Sequence, residues 1–344
     1  MGGMQRIAIG TEKGAYLLDR TKGWTVEGPM FPGWKVSAFG MTPDGTYLAG
    51  LGSNWFGASV HRSQDFDKWE QIEQGPSYPA ELGRKLSQIW TFHTAGSRIF
   101  AGVDEAGLFV SENEGLSWEP VVALNEHESR STWKPGFGGM CAHHILTDGD
   151  RIWVGISAVG VFRSEDGGAT FDRFDEGVTP TVTAEDGVGA NGWCVHGLVA
   201  DPRDPDSIWR QDHQGVYRTV DGAKTWQRIE TGLPSRFGFP IRRHHATATL
   251  FVVPLESDEN RVPTGGRLAA YRSSDAGDSW ERAGTGWPEA EQFTGVLRNA
   301  MDVDAAGAVA FGTAGGRIYV SDDVGDNWDQ LPFSFPRILT LAAI

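Results

Sequence analysis

Seven aromatic residues, Trp24, Trp69, Trp118, Phe171, Trp226, Trp280 and Trp328, succeed one another at steps of 45, 49, 53, 55, 54 and 48 residues. Most of them close a short box. Its clearest copies are SSDAGDSW (273–280) and SEDGGATF (164–171), with TVDGAKTW (219–226), SENEGLSW (111–118) and SDDVGDNW (321–328) as variants. A sustained period of this length constrains the fold strongly. Each repeat must be one supersecondary unit that buries its apolar faces against its neighbours.

A second echo stands upstream of most boxes, a Gly followed by a short loop and then Gly-x-aromatic. Examples are GTEKGAY (10–16), GVDEAGLF (102–109), GISAVGVF (155–162) and GTAGGRIY (312–319). Each unit therefore reads as strand A, turn, strand B, loop, strand C, box, strand D. Four short strands at this spacing predict an all-β, seven-bladed β-propeller with four-stranded blades, formed as a single domain over 1–344. The first unit opens directly on strand B (RIAIG), and LPFSFPRILTLAAI follows the last box with no unit of its own. The C-terminal strand is thus expected to supply the missing innermost strand of the first blade and close the ring.

The box has a structural reading of its own. At a C–D hairpin its Asp accepts hydrogen bonds from turn N–H groups, its Gly permits positive φ, and its aromatic packs against the sheet. The pattern resembles the Asp-box, or BNR repeat, of sialidases, xyloglucanases, sortilin-type receptors and photosystem assembly factors. Some copies depart from it: Asn113 replaces Asp, Ala223 replaces Gly, SQDFDKW is one residue short and DRTKGW is a remnant. The resemblance implies the fold and the glycosyl-hydrolase-like superfamily. It does not name the chemistry, since one fold hosts many functions.

Charge and composition narrow the partners. A formal charge of −15 lacks the basic face that nucleic acid requires. Two cysteines give no disulfide framework, no apolar run reaches membrane-spanning length, and the N-terminus does not read as a signal peptide. A cytoplasmic protein that meets neither nucleic acid nor membrane is expected.

Topology sets the boxes and A–B turns on one face and the B–C and D–A loops on the other. The long D–A loops (126–140, 175–192, 232–241) and the B–C loop 256–266 make that second face the expected site for a small molecule, glycan or protein partner. Candidate ligand-binding residues are Trp55, Trp90, Trp133, His144, Arg261 and Arg298, with Phe137, Phe237 and Trp287 on the same loops. The aromatics also suit packing between blades. A glycosidase needs two carboxyl groups flanking the bond. Asp104, Glu105, Asp212, Glu256, Asp258 and Glu259 are the acidic B–C candidates.

A true sialidase is not expected. The sialidase resemblance implies a Tyr nucleophile and three arginines on a carboxylate, yet Tyr16, Tyr217, Tyr271 and Tyr319 fall in strand C and only Tyr78 falls in a D–A loop. MCAHH (140–144) and WCVH (193–196) both open a strand A. Cys141, His143, Cys194 and His196 are therefore candidate transition-metal ligands, or else buried packing groups. His196 and His213 form a further candidate pair for acid–base or hydrogen-bonding work near neutral pH. Phosphate-loop, nucleophile-elbow and zinc-helix motifs are absent.

Overall fold

The computed structural model describes residues 3–53, 55–136, 138–180 and 192–344. Phe137 and most of the expected 175–192 loop lie outside the described residues. The chain forms two compact units, one of Trp34–Asp175 with Thr179–Val195, the other of Met1–Gly33, Glu176–Val178 and His196–Ile344.

Three four-stranded sheets build the 34–175 unit, each ordered sequentially and each antiparallel. The third, for example, runs Ala142–Asp148, Arg151–Ile156, Gly160–Ser164 and Asp172–Arg173. Its second and third strands are buried almost throughout, so they read as continuous apolar segments without surface alternation. The fourth strands have the opposite character. Glu70–Gln71 and Asp172–Arg173 are two residues long and exposed, and a short, charged edge resists pairing with another chain.

The 196–344 unit contains two further four-stranded sheets and one of eight strands. In the eight-stranded sheet Ile338–Ala343 pairs antiparallel with Arg6–Thr11, matching Ile7 to Ala343 and Ile9 to Leu341. It also touches Val296–Val303 through a parallel bridge, Asn299 to Thr340. The C-terminal strand therefore lies between Val296–Val303 and Arg6–Thr11 in this sheet.

Each box is a hydrogen-bonded corner. In 273–280 the Asp275 carboxylate accepts from Ser273 Oγ at 2.7 Å, Ser279 N at 2.9 Å and Ser279 Oγ at 2.6 Å, and Gly277 N donates to Ser273 Oγ at 2.8 Å. The same arrangement appears at Asp166, Asp221 and Asp323. These bonds, led by Ser279, hold the Asp275 carboxyl down at about 2. The fourth and fifth positions both take positive φ, including Val324 at 59° and Ala223 at 81°. The corner thus imposes a left-handed backbone even where the sequence offers no glycine.

Short helical turns depart from the strand-only reading. The 126–140 connection is preceded by the helical turn Val122–Asn125 and contains the 3-10 turn Glu128–Thr132. Among the described residues no helix is long and apolar enough to cross a membrane.

Candidate functional site

A cavity of about 500 Å3 opens in the 34–175 unit where a B–C turn meets a D–A loop. Gln88, Trp90, Asp104, Glu105, Met140 and Cys141 are among its lining residues. Asp104 ends the strand Arg98–Val103 and is clamped to the start of the same sheet. Its carboxylate accepts from Ser87 N at 2.9 Å, from Gln88 N at 3.0 Å and from Ser87 Oγ, while Tyr78 Oη donates to its carbonyl at 2.8 Å. Burial raises the carboxyl's proton affinity more than these donors lower it.

The adjoining turn is held from the other side. Arg130 Nη1 donates to the Ala106 carbonyl at 2.9 Å and Nη2 to the Glu105 carbonyl. Those two residues sit at φ 55° and 51°. Burial lowers the Arg130 guanidinium to about 10.

An aromatic ledge adjoins the cavity. Trp55 is 90% exposed and Phe56 82%, and the Phe56 ring lies 5.7 Å from that of Trp34. Ser53 Oγ accepts from the amides of Trp55 and Phe56, and Ser53 N donates to the Ser87 carbonyl at 3.1 Å. Lys35, next to Trp34, reaches Gln88 Oε1 at 3.3 Å. The ledge is therefore bonded to the segment that lines the cavity. Trp34, Phe56, Ser87 and Gln88 escape a reading of the sequence that follows only boxes and charged groups. The one cue is that FPGWK and NWFG place large aromatics beside turn glycines.

Other expected ligand contacts in this unit are packing groups. Trp133 is 6% exposed, its ring 4.9 Å from Phe162 and its Nε1 bonded to Ser129 Oγ at 2.9 Å, with the Arg130 guanidinium 4.5 Å over it. Its apolar area is used in the core. His144 is buried against His143, their ring centroids 5.2 Å apart.

The metal arrangement also changes. A register shift between Ala142 and His144 breaks the alternation that would align Cys141 with His143. Among the described residues, Cys141 and His143 belong to no group of three or more His, Cys, Asp or Glu side chains close enough to hold an ion. Cys141 Sγ approaches the Gly138 carbonyl at 3.5 Å, and Cys194 Sγ lies 3.3 Å from Ser157 Oγ. Both thiols are buried.

In the 196–344 unit His196 and His213 do meet, their ring centroids 5.4 Å apart. His196 is buried, packs on Phe237 and Phe239, and donates from Nδ1 to the Gly238 carbonyl at 2.6 Å in the tautomer that this contact favours. Burial first, then the Arg298 charge, pushes its proton affinity well below the ordinary range. His213 Nε2 lies 3.1 Å from Asp258 Oδ2. Arg261 and Arg298 both lie over the Phe239 ring, at 5.5 and 4.8 Å.

Two expected catalytic acids in this unit sit in different surroundings. Asp212 is fully buried and ion-paired with Arg210, so its carboxylate serves the interior of the sheet rather than a substrate. Glu256 is exposed on its loop, its backbone N–H bonded to the Val262 carbonyl at 2.8 Å.

No protein-family model matches the chain. A xyloglucanase from Paenibacillus sp is 25% identical over 290 residues, which is 73% of this chain and 25% of the xyloglucanase. The chain thus spans about a quarter of that relative's length. Among solved structures, an ancestral GH74 enzyme superposes with a TM-score of 0.55 at 16% identity, covering 83% of this chain and 36% of its own. YCF48 from Cyanidioschyzon merolae gives 0.56 at 12% identity, covering 87% and 85%. The WD40 propeller domain of Doa1 gives 0.58 at 10% identity, covering 95% and 88%.

The fold is a β-propeller's. At these identities the structural likeness carries the propeller architecture and no activity. What separates this propeller from an anonymous scaffold is the ledge-and-cavity surface of its 34–175 unit.

Proposed function

We propose that the chain is a seven-bladed Asp-box propeller, five blades being its four-stranded sheets and two the halves of its eight-stranded sheet, with Ile338–Ala343 completing the first blade. Its 34–175 unit binds an extended glycan along the Trp34–Phe56–Trp55 ledge and into the Asp104 cavity. The carrying observation is the continuity of exposed aromatic rings with a cavity that carries a few polar groups, through Ser53, Ser87 and Gln88. Flat rings suit the apolar faces of sugar rings. The Gln88 amide and the acidic B–C turn suit their hydroxyl groups. The weak likeness to a xyloglucanase supports a polysaccharide over a peptide as the ligand.

Titration calorimetry with xyloglucan and cello-oligosaccharides tests the reading. We expect saturable binding that weakens roughly tenfold in Trp55→Ala, a loss of about 1.4 kcal/mol. Absence of binding to any neutral polysaccharide overturns it.

Hydrolysis is the second reading, and the raised proton affinity of half-buried Asp104 favours it, since a general acid must hold its proton. The Ser87 and Gln88 donors on both Asp104 oxygens favour a loop clamp instead. Release of reducing ends from xyloglucan, abolished in Asp104→Asn, would establish the catalytic alternative.

A further inference from the structure

The 196–344 unit carries a second surface, independent of the glycan reading. Two guanidinium groups, Arg261 and Arg298, meet over Phe239, with His196 packed on the same ring and His213 beside His196, in a chain whose formal charge is −15. Collecting like charges at one point raises their mutual repulsion, and an arriving anion relieves it.

Three features set this cluster apart from a chance meeting of surface cations. The first is its fixed geometry. Arg261 Nε donates to the Asp258 carbonyl at 2.8 Å, while the Asp258 carboxylate engages His213 at 3.1 Å, so one loop residue positions both side chains. The second is strain. Arg261 adopts φ 48°, a left-handed conformation that costs free energy for a long side chain, and such outliers concentrate where a site needs them. The third is the shared apolar floor, because Phe239 lies beneath both guanidinium groups and is itself 1% exposed. The field of the cluster is registered by His196, whose proton affinity is lowered by burial and then by Arg298, His213 and Arg261.

We propose that Arg261 and Arg298, steadied by Asp258 and His213, bind the oxyanion of a small acidic ligand. Planar guanidinium forks suit carboxylate and phosphate alike. Malonate and inorganic phosphate are the two probes, and whichever binds more tightly names the ligand class.

The test follows malonate and phosphate by calorimetry, and by the imidazole NMR signals of His196 and His213. The unaltered protein should show saturable binding, with both histidine signals shifting along the same isotherm. Arg298→Gln and Arg261→Asn should each weaken binding about tenfold or more. Arg261→Asn should do so with no loss of melting temperature, because Asn accepts the left-handed backbone that strains Arg261. Exposed Arg282→Gln should bind as the unaltered protein does. Binding that survives in Arg298→Gln overturns the proposal. So do histidine signals that ignore both anions, an observation that needs no variant to fold.

Discussion

Arg210 and Asp212 stand two residues apart on one strand, and the guanidinium reaches the same carboxylate oxygen from Nε at 2.9 Å and Nη2 at 2.5 Å, with neither side chain exposed. Removing one partner strands a buried charge. Asp212→Ala is therefore expected to cost about 3–5 kcal/mol. Urea unfolding checks this, and Arg210→Met combined with Asp212→Ala should recover most of the loss.

Two of the tryptophans expected on loops separate cleanly by environment. Trp133→Ala opens a void against Phe162 and should cost about 3–5 kcal/mol. Trp55→Ala should change stability by no more than about 0.5 kcal/mol, because the ring is in solvent. Thermal unfolding of both variants distinguishes a packing residue from a contact residue.

Acid should loosen the box corners in a defined window. Hydrogen bonds from Ser279 hold Asp275 at about 2, and those from Thr170 lower Asp166. An unfolded aspartate titrates near 3.9, roughly, so the folded state binds fewer protons between these values. The stabilisation is full above the unfolded value and is lost as pH falls through the folded one. Unfolding free energy measured from pH 5 downward should decline toward pH 2, and the decline should be shallower in Asp275→Asn.

Val324 offers a gain. A β-branched residue at φ 59° bears strain of about 1–2 kcal/mol that glycine does not. The added freedom of the unfolded chain returns about 0.4–1 kcal/mol of this. Val324→Gly should raise the denaturant midpoint modestly, with an unchanged slope.

The repeat was legible because a period of boxes is written in residue types, Ser, Asp, Gly and Trp at set offsets, that each have a local hydrogen-bonding reason. Ile338–Ala343 pairs with Arg6–Thr11 even though more than 300 residues separate them in sequence. The site was less legible. His196 and His213 announce themselves by type and offset, and Asp104 by its position after strand B. Nothing local in the sequence distinguishes Trp55, left in solvent, from Trp133, folded under Arg130, because that difference depends on what a distant loop does. The Cys141–His143 alternation failed for a related reason. A bulge is a property of two strands in register, and one strand read alone does not contain it.

The partnership of Ile338–Ala343 with Arg6–Thr11 also sets a timetable. During synthesis that edge of Arg6–Thr11 must wait, unpaired, while the more than 300 residues between the two strands are made. Until then that edge is open to any passing strand.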